Sequence, residues 1–243
     1  MRKIAIILVV FSICTVSLRA FDLSGSLHVD SFAGKPMVGF SFLAEEDIIP
    51  RLAVRAQTDY LTANEYDVQI LGIAKLGPVF LGGGFALEIT NNLQPGAGLL
   101  LGWQMTKHFA LETATILSFT TEDLGKLHDI RGKLDVFYDT ENVNADFSYK
   151  IKMGIATTDF INTLAFQVEA FEQGVPVGLT VGAGSDFFID EQGFDLTVDV
   201  LGGLNVYGGK YGTYFATTRV GIFTLRVAQP IHYEVIMGAR FSL

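Results

Sequence analysis

The stretch that decides the fold is Val143-Asn-Ala-Asp-Phe-Ser-Tyr-Lys-Ile-Lys-Met153. Its apolar residues occupy every second position, and Asn, Asp, Ser or Lys stands between them. A helix would scatter these apolar side chains around its surface, whereas a β-strand places them all on one face. The stretch therefore predicts a strand with one apolar and one polar face.

The same alternation recurs along the chain, in runs that begin near Leu52, Ile130, Leu164, Phe194 and Tyr233. Short segments rich in Gly, Pro, Asn and Asp separate the runs at even spacing and indicate turns. The pattern predicts an all-β fold of about fourteen antiparallel strands, with ten to fourteen as the range. Their lengths are close to the ~9–11 residues of a strand that crosses a membrane at a tilt.

Hydropathy favours a membrane barrel over a soluble one. Hydrophobic residues make up 49% of the chain, yet no run after residue 20 is long and uncharged enough for a spanning helix. A secreted β-sandwich also alternates and remains the alternative. Aromatic residues near the predicted strand ends favour the single up-and-down transmembrane β-barrel, whose rims carry aromatic girdles. They are Phe21, Tyr60, Tyr66, Trp103, Phe109, Phe119, Tyr138, Phe160, Tyr211, Phe223 and Tyr233.

Residues 1–20 have the layout of a secretory signal peptide. Arg2 and Lys3 precede an apolar run, and small residues surround a cleavage point after Ala20. Lipidation at Cys14 is the weaker alternative, because Ile13 stands where a small residue is usual. Cleavage would remove the only cysteine and leave residues 21–243 as one barrel domain.

The charge balance excludes one class of partner. The chain has 17 basic and 26 acidic residues, and three of the basic ones lie in the signal segment, which holds no acidic residue. The mature chain therefore has a net charge of −12. This charge argues against a nucleic-acid partner.

The C-terminus Met237-Gly-Ala-Arg-Phe-Ser-Leu243 resembles the terminal signal of bacterial outer-membrane β-barrel proteins. Gly238, Phe241 and Leu243 match that signal, although the last residue is Leu rather than Phe or Trp and Ile236 stands where a polar residue is expected. The resemblance implies a place in the outer-membrane lipid after signal cleavage, insertion by the barrel-assembly machinery, and both termini on the periplasmic side. It identifies no subfamily and leaves the oligomeric state open.

Catalytic and metal-binding motifs are absent from the sequence. There is no Gly-x-Ser-x-Gly element, no zinc-ligand spacing among the four histidines and no EF-hand pattern. His128, beside Asp129 in the predicted turn 120–129, is the one place where a hydrolase site might be sought. The sequence therefore predicts no enzyme, no metal and no cofactor.

The polar faces of the predicted strands point to the lumen. We expect the lumen to be lined by Arg51, Arg55, Asp59, Asp67, Glu112, Arg131, Lys133, Asp135, Asp146, Lys150, Lys152, Glu169, Asp195, Asp199, Arg219, Glu234 and Arg240. Near fourteen strands, these charges would line a passive pore for small solutes. With fewer strands they would interlock, and the protein would be a closed structural or surface-interaction barrel. The predicted loops are too short for a plug, which favours the pore.

Overall fold

The computed structural model describes residues 21–32, 35–62, 65–90, 92–121, 124–155, 159–172, 174–190, 193–208, 212–224 and 233–242. The predicted signal segment 1–20, with Cys14, lies outside these residues. Tyr211 and Leu243 lie outside them as well.

The described chain forms fourteen strands. They are β1 (Phe21–Phe32), β2 (Lys35–Ile49), β3 (Leu52–Thr62), β4 (Glu65–Leu76), β5 (Val79–Ile89), β6 (Leu93–Gln104), β7 (Phe109–Phe119), β8 (Leu127–Asp139), β9 (Val143–Gly154), β10 (Phe160–Phe171), β11 (Val177–Asp190), β12 (Gly193–Tyr207), β13 (Thr213–Thr224) and β14 (Tyr233–Ser242). No helix in the described ranges is long and apolar enough to cross a membrane.

Each strand pairs antiparallel with the next, and β1 pairs with β14. Asp22 lies opposite Ser242 and Asp30 opposite Glu234, so the first and last strands are joined along nearly their whole length. Closure leaves no open sheet edge, which is the condition for a sheet to exist in hydrocarbon. The predicted single antiparallel up-and-down barrel of about fourteen strands is thus confirmed.

The turns between the strands lie at the two ends of the barrel. The segments that follow the even-numbered strands lie at the same end as residues 21 and 242, which we call the terminal end. The segments that follow the odd-numbered strands lie at the opposite end, the loop end. Between β4 and β5 the chain reverses in two residues, and Gly77 adopts a φ of 65°, which glycine tolerates without steric penalty.

The inner face is identified by an ion pair that crosses the interior. Arg55 on β3 lies 2.7 Å from Glu112 on β7, although three strands separate them along the sheet. Side chains so far apart around a closed sheet meet only through the space that the sheet encloses. The strand register then assigns every other inward position, since residues directly opposite each other share a face.

The outer face is apolar. Along the strand register its only charged side chain among the described residues is Glu46, near the terminal end of β2. Large apolar side chains are exposed there, including Leu99, Phe166 and Leu179. Such a surface exceeds what a soluble monomer exposes and suits contact with lipid. At the loop end Phe187 contacts Phe194, with ring centroids 4.7 Å apart; neither residue belongs to the predicted aromatic set.

Candidate functional site

The structure places all but one of the seventeen sequence-predicted lumen residues on the inner face of a strand. Arg51 is the exception and corrects that prediction. It lies exposed in the turn 50–51 between β2 and β3, because Pro50 cannot donate to a strand ladder and β2 ends before it.

One group of inner charges, the terminal-end cluster, joins β2, β3, β4 and β7. Arg55 holds Glu112 through two hydrogen bonds of 2.7 and 3.1 Å, and its Nε donates to Glu45 at 2.9 Å. Lys75 lies 3.2 Å from Glu45 and also bonds Asp47. Bidentate guanidinium–carboxylate pairs are among the stronger polar contacts, so this cluster fixes the distance between opposite parts of the wall.

A second group, the loop-end cluster, is more deeply buried. Arg131 lies 2.6 Å from Asp67 and 3.4 Å from Asp129, and it also pairs with Glu88. The exposed fraction of each of these four side chains is 8% or less. Lys152 lies 3.6 Å from both Glu88 and Asp129. Three carboxylates thus share two cations inside the barrel, where each charge depends on its partners.

Apolar side chains fill the space between these clusters. Ala53, Leu71, Ile73 and Leu100 form a buried core, and Phe80 and Ala114 pack against it. The inner faces of β3–β7, which carry these residues, form what we call the packed wall. At Gly102 a Cβ atom would collide with the ring of Phe80, so the glycine makes room for that ring.

The inner faces of β9–β14, which we call the open wall, retain exposed charges. Lys150 is exposed although its register neighbours Lys133 and Thr163 also point inward. Arg240 is exposed too, and the side chain of Asp186 keeps 37% of its surface accessible. An inward-facing side chain that water reaches shows that the interior is not filled on this side.

One compact charge group lies on the open wall. Arg219 on β13 pairs with Asp199 at 2.6 Å and with Asp186 at 3.4 Å. All three residues point inward from neighbouring strands. The group therefore has two carboxylates for one guanidinium.

A polar group built on β1, β2 and β14 was not foreseen as a unit. His28 Nδ1 lies 2.7 Å from Glu234 Oε1, and Nε2 lies 3.0 Å from the hydroxyls of both Ser26 and Ser41. The sequence predicted that Glu234 faces the lumen but not that it contacts His28, because 206 residues separate the two. Only the closure of β14 onto β1 does so.

A second prediction, which placed Asp129 beside His128 in a turn, is wrong. Asp129, expected in the turn 120–129, lies on the inner face of β8 and belongs to the loop-end cluster. His128 lies within the same strand, and its carbonyl accepts a hydrogen bond from Ile155 N–H. Glu122 and Asp123 lie outside the described residues. Within the described ranges, no group of three or more His, Cys, Asp or Glu side chains is arranged to hold a metal ion.

We compared the chain with known protein families, curated proteins and solved structures. No protein-family model and no curated protein matches the chain. Solved structures do match. A Salmonella typhi OmpF complex with daunomycin has a TM-score of 0.57 at 10% identity, over 92% of this chain and 97% of that one. The monoaromatic hydrocarbon channel CymD has a TM-score of 0.55 at 9% identity, over 93% and 88%.

The outer-membrane channel DcaP of Acinetobacter baumannii is similar as well. Its TM-score is 0.51 at 8% identity, and the match covers 93% of this chain and 96% of that one. This chain has the fold of a bacterial outer-membrane β-barrel. At such identities the likeness shows the fold alone, so any function must be argued from the residues of this chain.

Proposed function

We propose that the protein is a passive pore for small solutes in the bacterial outer membrane. The observation that carries the proposal is the exposed Lys150 on the inner face at mid-strand, which indicates water inside the barrel. The path follows the part of the open wall beyond Lys152, since the core fills the packed wall and the two ion clusters join strands β2–β5 to β7, β8 and the start of the open wall at β9. Solutes would pass by diffusion and be screened by fixed side-chain charges, with no turnover.

The inner charges favour small cations as the solutes. Inward-facing carboxylates outnumber inward-facing cationic side chains by about two to one in the described strands, and fixed charge of one sign attracts ions of the other. The carboxylates are Asp22, Asp30, Glu45, Asp47, Asp59, Glu65, Asp67, Glu88, Glu112, Asp129, Asp135, Asp139, Asp146, Glu169, Asp186, Asp195, Asp199 and Glu234; the cations are Arg55, Lys75, Arg131, Lys133, Lys150, Lys152, Arg219 and Arg240.

The location belongs to the same proposal. The apolar outer face and the outer-membrane proteins among the solved neighbours support a place in the outer-membrane lipid. Cleavage of the signal segment after Ala20 and insertion through Gly238, Phe241 and Leu243 by the barrel-assembly machinery complete the proposed route. A porin-like protein of this kind needs no cofactor.

The first test is the conductance of the refolded mature protein in planar bilayers. A shift in gel mobility on heating shows that the barrel has folded. We expect discrete current steps that grow with salt, and a zero-current potential in a KCl gradient that indicates preference for K⁺.

Lys150→Glu adds to the acidic excess at the path, so it should increase the preference for K⁺. Lys107→Glu makes the same charge change in the exposed turn 105–108, away from the path, and should leave it nearly unchanged. A conducting Lys150→Glu protein with unaltered selectivity would argue that the path lies elsewhere.

The second candidate is a closed-lumen structural or surface-interaction barrel. It is favoured by the packed wall and by the two ion clusters, which interlock strands across the interior. A correctly folded protein that never conducts would establish this candidate over the pore.

A further inference from the structure

Ser26, His28 and Glu234 form a hydrogen-bonded chain on the inner face. The Ser26 hydroxyl lies 3.0 Å from His28 Nε2, and His28 Nδ1 lies 2.7 Å from Glu234 Oε1. Hydroxyl, imidazole and carboxylate in this order are the arrangement that nucleophilic hydrolases use. The carboxylate holds the imidazole with its proton on Nδ1, which leaves the Nε2 lone pair to accept the hydroxyl proton.

Two serines reach the same nitrogen, and their other bonds distinguish them. Ser41 Oγ also lies 3.0 Å from His28 Nε2, but it accepts a hydrogen bond from the Tyr60 backbone N–H at 3.0 Å. Among the described residues, His28 is the one hydrogen-bonding partner that the structure gives the Ser26 hydroxyl. The lone pairs of Ser26 are therefore the less engaged, and Ser26 is the better nucleophile of the two.

The surroundings of Ser26 supply space and a binding surface. Its register partner on β14 is Gly238, where a Cβ atom would touch both the Phe215 ring and Ser26. The absence of that Cβ leaves space between Ser26 and the edge of the Phe215 ring. The Arg240 guanidinium lies 5.0 Å from the centre of the Phe215 ring and is exposed to the lumen.

We propose that this site hydrolyses small carboxylic esters inside the barrel, with Ser26 as nucleophile and His28 as general base. Ser26 Oγ attacks the ester carbonyl carbon while its proton passes to His28 Nε2. Collapse of the tetrahedral intermediate breaks the C–O bond to the alcohol, which leaves with the proton from His28. Water, deprotonated by His28, then attacks the acyl carbon; the bond from that carbon to Ser26 Oγ breaks, Oγ takes the proton back from His28, and the carboxylic acid is released.

The remaining residues have supporting roles. Glu234 positions His28 and stabilises the imidazolium that forms when the proton is taken up. Phe215 offers an apolar surface for the acyl group. Arg240 places a positive charge on the same wall, where the oxyanion of the tetrahedral intermediate would be stabilised.

The test uses the folded mature protein in detergent micelles, so that it does not depend on conductance. A fluorophosphonate probe reacts with an activated serine: the serine oxygen bonds to phosphorus and fluoride leaves. We expect peptide mass mapping to place the adduct on Ser26 of the unaltered protein. Absence of an adduct, or an adduct on Ser41 or another serine, would overturn the proposal.

Variants give a second measurement with p-nitrophenyl butyrate as substrate. Ser26→Ala and His28→Ala should each lower kcat/KM by about 10³-fold or more, whereas Ser24→Ala, on the same face of β1, should retain it. Glu234→Gln should lower kcat and move the acidic limb of the pH–rate profile, which a purely structural role would leave in place. Labelling that persists in a heat-modifiable His28→Ala barrel would also overturn the proposal.

Discussion

Arg131 is the residue on which the loop-end cluster depends. It contacts Asp67, Glu88 and Asp129, each of them buried. Arg131→Met removes the charge while keeping much of the volume, so Lys152 alone would face Glu88 and Asp129, and Asp67 would lose its ion pair with Arg131. We expect a loss of about 3–5 kcal/mol in the free energy of unfolding, measured by urea titration in lipid vesicles, because an uncompensated buried charge is strongly destabilising.

Lys150→Met is the matched control for this substitution. It removes a cation from the same inner face, but Lys150 is exposed and belongs to neither cluster. The change in unfolding free energy should stay within about 0.5 kcal/mol. Equal losses in the two variants would show that the cluster contributes no specific stability.

Single residues also show how far the sequence could predict the site. Alternation identified Arg55, Arg131 and Lys150 as inward, because strand period alone fixes the face. It could not tell that Arg55 is locked in an ion pair while Lys150 is exposed, since that depends on strands distant in sequence. Glu88 was missed because its strand has glycine and apolar residues on both faces.

At the scale of one strand, Gly102 on β6 tests the packing of the wall. A Cβ there would collide with the Phe80 ring, whereas one at Gly202 on β12 would meet nothing within 4 Å. We expect Gly102→Ala to lower the unfolding free energy by about 1–3 kcal/mol through overpacking. The same substitution at Gly202 should be nearly neutral, and a neutral Gly102→Ala would indicate that Phe80 moves aside freely.

The outer face of the same strand tests its contact with lipid. Leu99 lies midway along β6 and is 52% exposed, while Leu93 begins the strand. Leu99→Arg should destabilise the barrel folded in vesicles by about 2–4 kcal/mol, and Leu93→Arg by about 0–1 kcal/mol, because the energy of a charge in the bilayer depends on its depth. Equal effects at the two depths would contradict a spanning orientation.

The element pattern was the most predictable part of the fold. Several clearly alternating runs, together with evenly spaced turn residues along the rest of the chain, suffice to predict about fourteen strands, and closure follows because an open edge is not tolerated in hydrocarbon. What alternation could not show is that the interior is uneven. The core of Leu71, Ile73 and Leu100 arises from inward apolar residues on strands whose two faces look alike in the sequence.

For the whole molecule, closure joins the functional features. The seam between β1 and β14 brings His28 to Glu234, while Arg55 and Glu112 tie the packed wall across the interior. The wall that these contacts leave open carries the exposed charges of the proposed path. A barrel that had not closed would therefore lack both the path and the Ser26–His28–Glu234 group.

Closure in the cell should depend on the last strand in a way that refolding in vitro does not. Phe241 lies on the outer face of β14, with its ring centroid 5.9 Å from that of Tyr214. If the insertion machinery reads Phe241, Phe241→Ala should reduce the folded barrel recovered from outer membranes several-fold while the purified variant still refolds in detergent. Phe166→Ala removes another outward-facing ring from β10, away from the C-terminus, and should keep its yield. Equal losses for the two variants would mean that Phe241 acts through lipid contact alone, and a loss that also appears in vitro would assign it to stability rather than to recognition.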